Sequence, residues 1–230
     1  ADMIFGHHIM AQFPAGLVAY HFGASTSAAD MFRIKVTGKT CHGALPETGV
    51  DATVAASAIV LNLQSIVSRE LSPMLPVVVT VGKLLSGSRF NIVSGEAVME
   101  GTVRSFDPEV HHRLPEIVAR IAKDTASAYR CEAEVEYEML TEVLVNDTEA
   151  TELVKAAALK VAAAPQMVVE SPQTMGAEDF ADYTLQTKAS FAMLGGGGSY
   201  PQHSDHFVIE EEAFPVGVAL YAQVAADFLN

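Results

Sequence analysis

Eight histidines stand in 230 residues, and their neighbours sort them by the chemistry they could do. His7 and His8 follow the apolar Met3-Ile4-Phe5 and Gly6. That pattern reads as a strand end passing into a polar loop, where α/β enzymes keep ligands. His203 lies in Tyr200-Pro201-Gln202-His203-Ser204-Asp205-His206, shortly after the run Gly195-Gly196-Gly197-Gly198. Neutral imidazoles with carboxylates nearby are what zinc, manganese or cobalt sites use. Loop histidines are also common on plain surfaces, so spacing alone leaves both uses open. His42, in Thr40-Cys41-His42-Gly43-Ala44, follows a strand. Cys41 is not its nucleophilic partner, because adjacent residues on an extended chain point opposite ways. His111 and His112 fall in the first turns of a helix and read as solvated. Glu178 and Asp179 are either acid/base groups, supports for a metal, or caps of a short helix. The glycine run lacks a following Lys-Ser/Thr and is not a phosphate loop.

The elements that must position these residues are clearest in the middle of the chain. Phe32, Ile34 and Val36 alternate with Arg33, Lys35 and Thr37, the period of a half-buried strand. Residues 51–71 repeat apolar positions at helical spacing, and Val77-Val78-Val79-Thr80-Val81 is a β-branched run. Residues 98–105 alternate again. Asp107-Pro108-Glu109 is a helix start, with Asp as cap and Pro at the first helical position. That helix runs to about residue 129, and Ala133, Val135 and Tyr137 then alternate with four glutamates in an edge-like strand. The order strand-helix-strand-strand-helix-strand predicts a ferredoxin-like (βαββαβ) sandwich over residues 31–140. Residues 1–30 and 141–230 alternate short strands with helices, as part of an α/β layered domain does. Helices are expected at 146–164, 176–180 and 211–229, and strands at 166–170 and 190–194.

Charge divides the chain at the same places. Residues 31–140 hold 11 basic and 13 acidic side chains, and the flanks hold 3 and 15, within a total of −14. Such acidity predicts neither a nucleic-acid partner nor an anionic membrane partner. Cys41 and Cys131 are too few for a disulfide framework. No secretory signal stands out, and residues 54–67 stop short of the roughly 18 residues a membrane span needs. A cytoplasmic location is the expectation. The opening Ala1-Asp2 reads as the interior of a longer protein.

The string FGHHIMAQFPAG resembles the FG-x-H-x-x-x-x-x-P-x-G segment of the metal-dependent aminoacylase and carboxypeptidase family. The similarity is to its branch of hippurate hydrolases, N-acyl-amino-acid amidohydrolases and auxin-conjugate hydrolases. It continues through GKTCHGALPETGVDATVAA, VVVTVGKLLSGSRFNIVSGEAVMEGTVRSFDPEV, MGAEDFADY and YPQHSDHFVIEEEAFPVGVAL, in family order over nearly the whole chain. The resemblance implies metal ligation by His8 and His203 in a binuclear site for zinc, manganese or cobalt. It implies that His42 binds substrate and stabilises the oxyanion, often across a dimer, and that Asn91 and Glu178 lie near substrate. It further implies a small N-acyl amino acid or dipeptide-like substrate, and a homodimer formed through residues 31–140 as a lid domain.

The same family carries a C-G-H-D-x-H segment and a Glu-Glu pair upstream of FG-x-H, which supply further ligands and the general base. Neither occurs in these residues. The expectation is therefore a partial α/β metallopeptidase-like catalytic domain (1–30 and 141–230) with a complete inserted lid. Hydrolysis by this polypeptide alone should be weak. The competing expectation is a non-catalytic dimerisation or ligand-binding module, separated from the first by whether the upstream motifs exist in the gene.

Overall fold

The computed structural model describes residues 1–230. In chain order the elements are β1 (Met3–Met10), β2 (Val18–Tyr20), β3 (Gly23–Thr26), β4 (Ala28–Thr37), β5 (Cys41–His42), α1 (Ala52–Leu63), β6 (Val77–Ser86), β7 (Ile92–Val93) and β8 (Glu96–Ser105). They continue as α2 (Pro108–Ala128), β9 (Glu132–Thr141), β10 (Leu144–Asn146), α3 (Thr148–Val161), β11 (Val168–Glu170), α4 (Ala181–Thr184), β12 (Lys188–Gly195) and α5 (Ala213–Leu229). This mixed α/β chain forms two compact units: Ala1–Ser27 with Leu144–Asn230, and Ala28–Val143.

In Ala28–Val143 one sheet has the order β6-β8-β4-β9, with every neighbouring pair antiparallel. Phe32, Ile34 and Val36 of β4 are wholly buried, while Met31, Arg33, Lys35 and Thr37 between them face water. Those buried residues share one core with Ala55, Ile59 and Leu63 of α1 and with Leu114, Val118 and Ala122 of α2. Edge strand β9 turns Glu132, Glu134, Glu136 and Glu138 outward, a row of charge that discourages pairing with another chain. The stretch Ala52–Glu70 is long and apolar enough to cross a membrane by length and composition. Its α-helix nevertheless ends at Leu63, a π-helical turn follows at Ile66–Glu70, and Ala55, Ile59, Leu63 and Ile66 sit in this core while Val54, Leu61 and Val67 are exposed.

α2 begins as its sequence dictates. The Asp107 carboxylate accepts from the Glu109 and Val110 amides at 2.9 and 3.0 Å, and Pro108 fills the first helical position. Replacing Asp107 with alanine is expected to lower stability by about 1 kcal/mol, read as an earlier urea midpoint.

One expectation fails on this helix. His111 is wholly buried rather than solvated, with Nε2 2.8 Å from Asp30 Oδ1 and Nδ1 3.1 Å from Glu142 Oε2. It lies on the apolar stripe of α2 with Leu114, Val118 and Ile121, and burial is tolerable because both ring nitrogens meet carboxylates. Burial disfavours its charged form, but the hydrogen bonds and charges of Asp30 and Glu142 outweigh this and raise its proton affinity above the ordinary value. His112 is exposed, as expected.

The other unit has a four-stranded sheet of order β1-β12-β2-β11 and a two-stranded pair, β3 with β10. β1 runs parallel to β12, β12 antiparallel to β2, and β2 parallel to β11. One face packs Val18, Ala192 and Leu194 against Val154 and Ala158 of α3 and Leu220 and Val224 of α5. The other face carries Ala189 and Phe191 beneath Phe180 and Ala181. Alternation along β1 sends Met3 and Phe5 to the first face and Ile4 to the second. Gly6 also belongs to the second face, where an added Cβ would lie 2.6 Å from the Phe180 ring. Gly6→Ala is expected to cost about 1–3 kcal/mol by overpacking, seen as a lower calorimetric midpoint.

Local details differ from expectation for physical reasons. β1 does not end before the histidines; it continues to Met10 because β12 pairs with it residue for residue, from Met3 with Lys188 to Met10 with Gly195. Pro165–Met167 is a 3₁₀ turn, so the strand expected at 166–170 is confined to β11. Residues 178–180 form the turn ahead of α4 instead of its first residues.

Candidate functional site

Because β1 continues through them, His7 and His8 point to opposite faces. His7 stacks on Tyr221 of α5 with ring centroids 4.4 Å apart, and its Nδ1 is buried without a hydrogen-bond partner. Burial, with a smaller push from the charge of His8, holds its proton affinity below the ordinary histidine value. His7 is therefore a neutral packing residue on the α5 side of the sheet.

His8 is exposed, with Nδ1 2.7 Å from the Ile9 carbonyl oxygen. A carbonyl can only accept, so Nδ1 carries the proton and the Nε2 lone pair is free. Histidine ligands of metals are commonly oriented in this way, by donating the other ring N–H to a carbonyl or carboxylate.

The same carbonyl anchors the loop that carries His203. Gln202 Nε2 donates to Ile9 O at 2.8 Å and lies 3.6 Å from Met10 Sδ. His203 follows directly, exposed and at φ 66°, a left-handed conformation that only Arg130 shares among the non-glycine residues. Such backbone is uncommon outside glycine and persists where the surroundings impose it. Glu178 completes the neighbourhood. Its Oε1 accepts from the Phe180 amide at 3.3 Å. Burial raises its carboxyl proton affinity, the Phe180 amide opposes this, Asp179 adds to it, and the charge of His8 lowers it again. Glu178 thus feels the charge of His8, and the Gln202–Ile9 bond ties the loop that carries His203 to the C-terminal end of β1.

The glycine run beside them is not an anion cradle. Gly195 N donates to Leu17 O at 2.7 Å, Gly196 N to Met10 O at 2.9 Å and Gly197 N to Phe13 O at 2.8 Å. These amides are spent on closing backbone around the end of β12.

The remaining residues singled out from sequence lie in Ala28–Val143. β5 pairs with β7, and the Gly43 amide donates to Asn91 O at 2.8 Å, which brings His42 and Asn91 side by side with both side chains exposed. His42 Nδ1 accepts the Ala44 amide at 3.1 Å, so the neutral ring carries its proton on Nε2, directed away from the backbone. Sequence reasoning missed Gln202, which bears no chemical signature and declares itself only through the bond to Ile9. It also missed Asp30, whose place just ahead of the alternating Phe32, Ile34 and Val36 hides a carboxylate that is 1% exposed.

Sequence similarity places this mixed α/β chain in a family of hydrolases. Residues 1–227 match peptidase family M20/M25/M40, and the chain belongs to that family. It is 35% identical over 212 residues to the N-acetyl-L-cysteine deacetylase of Bacillus subtilis, covering 92% of this chain and 50% of that protein. It is 30% identical over 235 residues to thermostable carboxypeptidase 2 of Saccharolobus solfataricus, covering 100% of this chain and 59% of the relative. The crystal structure of the Bacillus subtilis YXEP protein, a dinuclear metal binding peptidase of the M20 family, superposes with a TM-score of 0.83 at 28% identity, over 100% of this chain and 58% of that one. The chain thus spans half to three-fifths of the length of these relatives.

Proposed function

We propose that this chain is part of a metal-dependent amidohydrolase that cleaves the acyl-amide bond of N-acyl amino acids or related small peptides and conjugates. The carrying observation is the Ile9 carbonyl, which accepts His8 Nδ1–H and Gln202 Nε2–H together, freeing His8 Nε2 and tying the loop that carries His203 to the end of β1. The His8 and His203 imidazoles are donors that suit zinc, manganese or cobalt. When bound, divalent ions polarise the acyl carbonyl and lower the pKa of a bound water to about 7. His8 keeps its Nδ1 proton on Ile9 and directs the Nε2 lone pair outward. Glu178, its proton affinity raised by burial, serves as hydrogen-bond partner to substrate. In the role the family resemblance gives it, within one chain or across a dimer, His42 Nε2–H donates to the oxygen that gains charge as the amide carbon becomes tetrahedral, the interaction that contributes most to acyl-transfer catalysis. Asn91, beside His42, binds substrate.

The domain plan belongs to the same proposal. Residues 1–30 and 141–230 form the catalytic part, and residues 31–140 a ferredoxin-like lid and dimerisation domain. The strand order β6-β8-β4-β9, with both helices in one core, supports this assignment. So do the compact units, which divide at 27/28 and 143/144.

The test is a chimera in which this chain replaces the matched 212-residue segment of the N-acetyl-L-cysteine deacetylase. It should deacetylate N-acetylcysteine, lose activity to a chelator and regain it with manganese, cobalt or zinc. The isolated 230-residue chain should turn over near background, since His8 and His203 are fewer donors than two metal ions require. A folded, metal-loaded but inactive chimera contradicts the proposal, and robust turnover by the isolated chain contradicts the donor count.

A further inference from the structure

A second set of donors lies within Ala28–Val143. His111 presents Nε2 to Asp30 Oδ1 at 2.8 Å and Nδ1 to Glu142 Oε2 at 3.1 Å. Asp30 is fixed in turn, since the Tyr137 hydroxyl donates to its Oδ2 at 2.6 Å. With the Nε2 proton on Asp30, a neutral His111 ring turns its Nδ1 lone pair toward a carboxylate oxygen. Two acceptors face each other at hydrogen-bond distance, and a positive species between them relieves the clash: a proton or a metal ion.

The third neighbour favours the metal. His112 Nε2 stands 3.6 Å from the same Glu142 Oε2, and one ligand atom from each of His111, His112 and Glu142 falls within 4.8 Å of the others. Tetrahedral zinc with bonds of about 2.0–2.1 Å sets neighbouring donors roughly 3.3 Å apart. Two edges of the triangle, 3.1 and 3.6 Å, bracket that value. The third closes by turning the His112 side chain, which is 58% exposed and free to move. Asp30 then plays the part of the carboxylate that orients a ligand histidine through its other nitrogen.

We propose that His111 Nδ1, His112 Nε2 and Glu142 Oε2 form a binding site for a first-row divalent cation of the zinc type, with Asp30 as the positioning residue. Two imidazoles and one carboxylate suit zinc or cobalt better than calcium or magnesium, which take all-oxygen shells. Asp30 lies near the start of β4, Glu142 follows the end of β9, and both histidines sit in the first turns of α2. The ion is therefore structural, tying the first and last strands of Ala28–Val143 to its long helix.

The test uses the full 230-residue chain carrying His8→Ala and His203→Ala, which removes the histidines of the proposed hydrolytic site. Cobalt(II) titration followed by visible absorption, then displacement by zinc, should give one equivalent with the intense bands of tetrahedral cobalt. Adding His112→Ala should weaken zinc binding by more than about tenfold, since even residues behind a ligand cost about 10–100-fold. His112 is exposed, so this variant keeps its fold, which circular dichroism checks. Glu142→Gln should weaken binding similarly. Zinc should raise the thermal midpoint of the parent and not of the His112→Ala form. Absence of binding in the parent means that a proton alone fills the gap and overturns the proposal. Unchanged affinity in both variants overturns it as well.

Discussion

In the chimera with the N-acetyl-L-cysteine deacetylase, His203→Ala is expected to lower metal-dependent deacetylation at least about 100-fold, and His8→Ala to do the same. Both side chains are exposed, so neither change opens a cavity, and the thermal midpoint should stay near the parent's. The loss would therefore fall on catalysis and metal retention, not on folding. His7→Ala is the contrasting control one residue away. It removes the ring stacked on Tyr221 and should lower stability while leaving the folded enzyme active. Full activity in His203→Ala, or a loss as large in folded His7→Ala as in His8→Ala, would contradict the assignment of ligands. Gln202→Ala should show the intermediate behaviour of a support, because it frees the loop from Ile9 without removing a donor.

His111→Ala is expected to destabilise the metal-free chain by about 3–5 kcal/mol, the range for breaking a buried charged pair on one side. Asp30 would be left with the Tyr137 hydroxyl as its remaining side-chain partner, in a place that is 1% exposed. The two residues act as a unit, so Asp30→Asn added to His111→Ala should cost less than the sum of the separate changes. Urea unfolding of the four proteins of this cycle, with chelator present, measures both quantities. A loss below about 1 kcal/mol for His111→Ala would show that the pair is worth no more than an exposed ion pair.

Much of Ala28–Val143 was legible because its patterns are local. Alternation at residues 32–37 predicts the buried half of β4, and Asp107-Pro108-Glu109 marks the start of α2 to the residue. The extension of β4 back to Ala28 was not legible, because Ala28, Ala29 and Asp30 have no strand preference and are held by pairing with Ser105, Arg104 and Val103. β1 passes through two histidines for the same reason, a ladder with β12 that no local signal announces. β2, β3 and β10 are three or four residues each, too short to show a period. His111 could have been placed by spacing, since 111, 114, 118 and 121 form one helical stripe. Polarity argued the other way, and the compensating carboxylates come from residues 30 and 142, far off in sequence. For the site itself, residue type and motif pointed to His8, His203 and His42. The atoms that orient His8 and His42, Ile9 O and the Ala44 amide, emerge only from backbone geometry.

The most direct test of the proposed hydrolytic site is a titration of the 230-residue chain with substoichiometric manganese(II), followed by NMR of the assigned imidazole signals. The paramagnetic ion reports weak occupancy as well as tight, so an incomplete donor set does not hide the result. The account predicts that His8 and His203 broaden together, and that replacing either with alanine protects the other. Broadening of one without the other, or of neither, would contradict it.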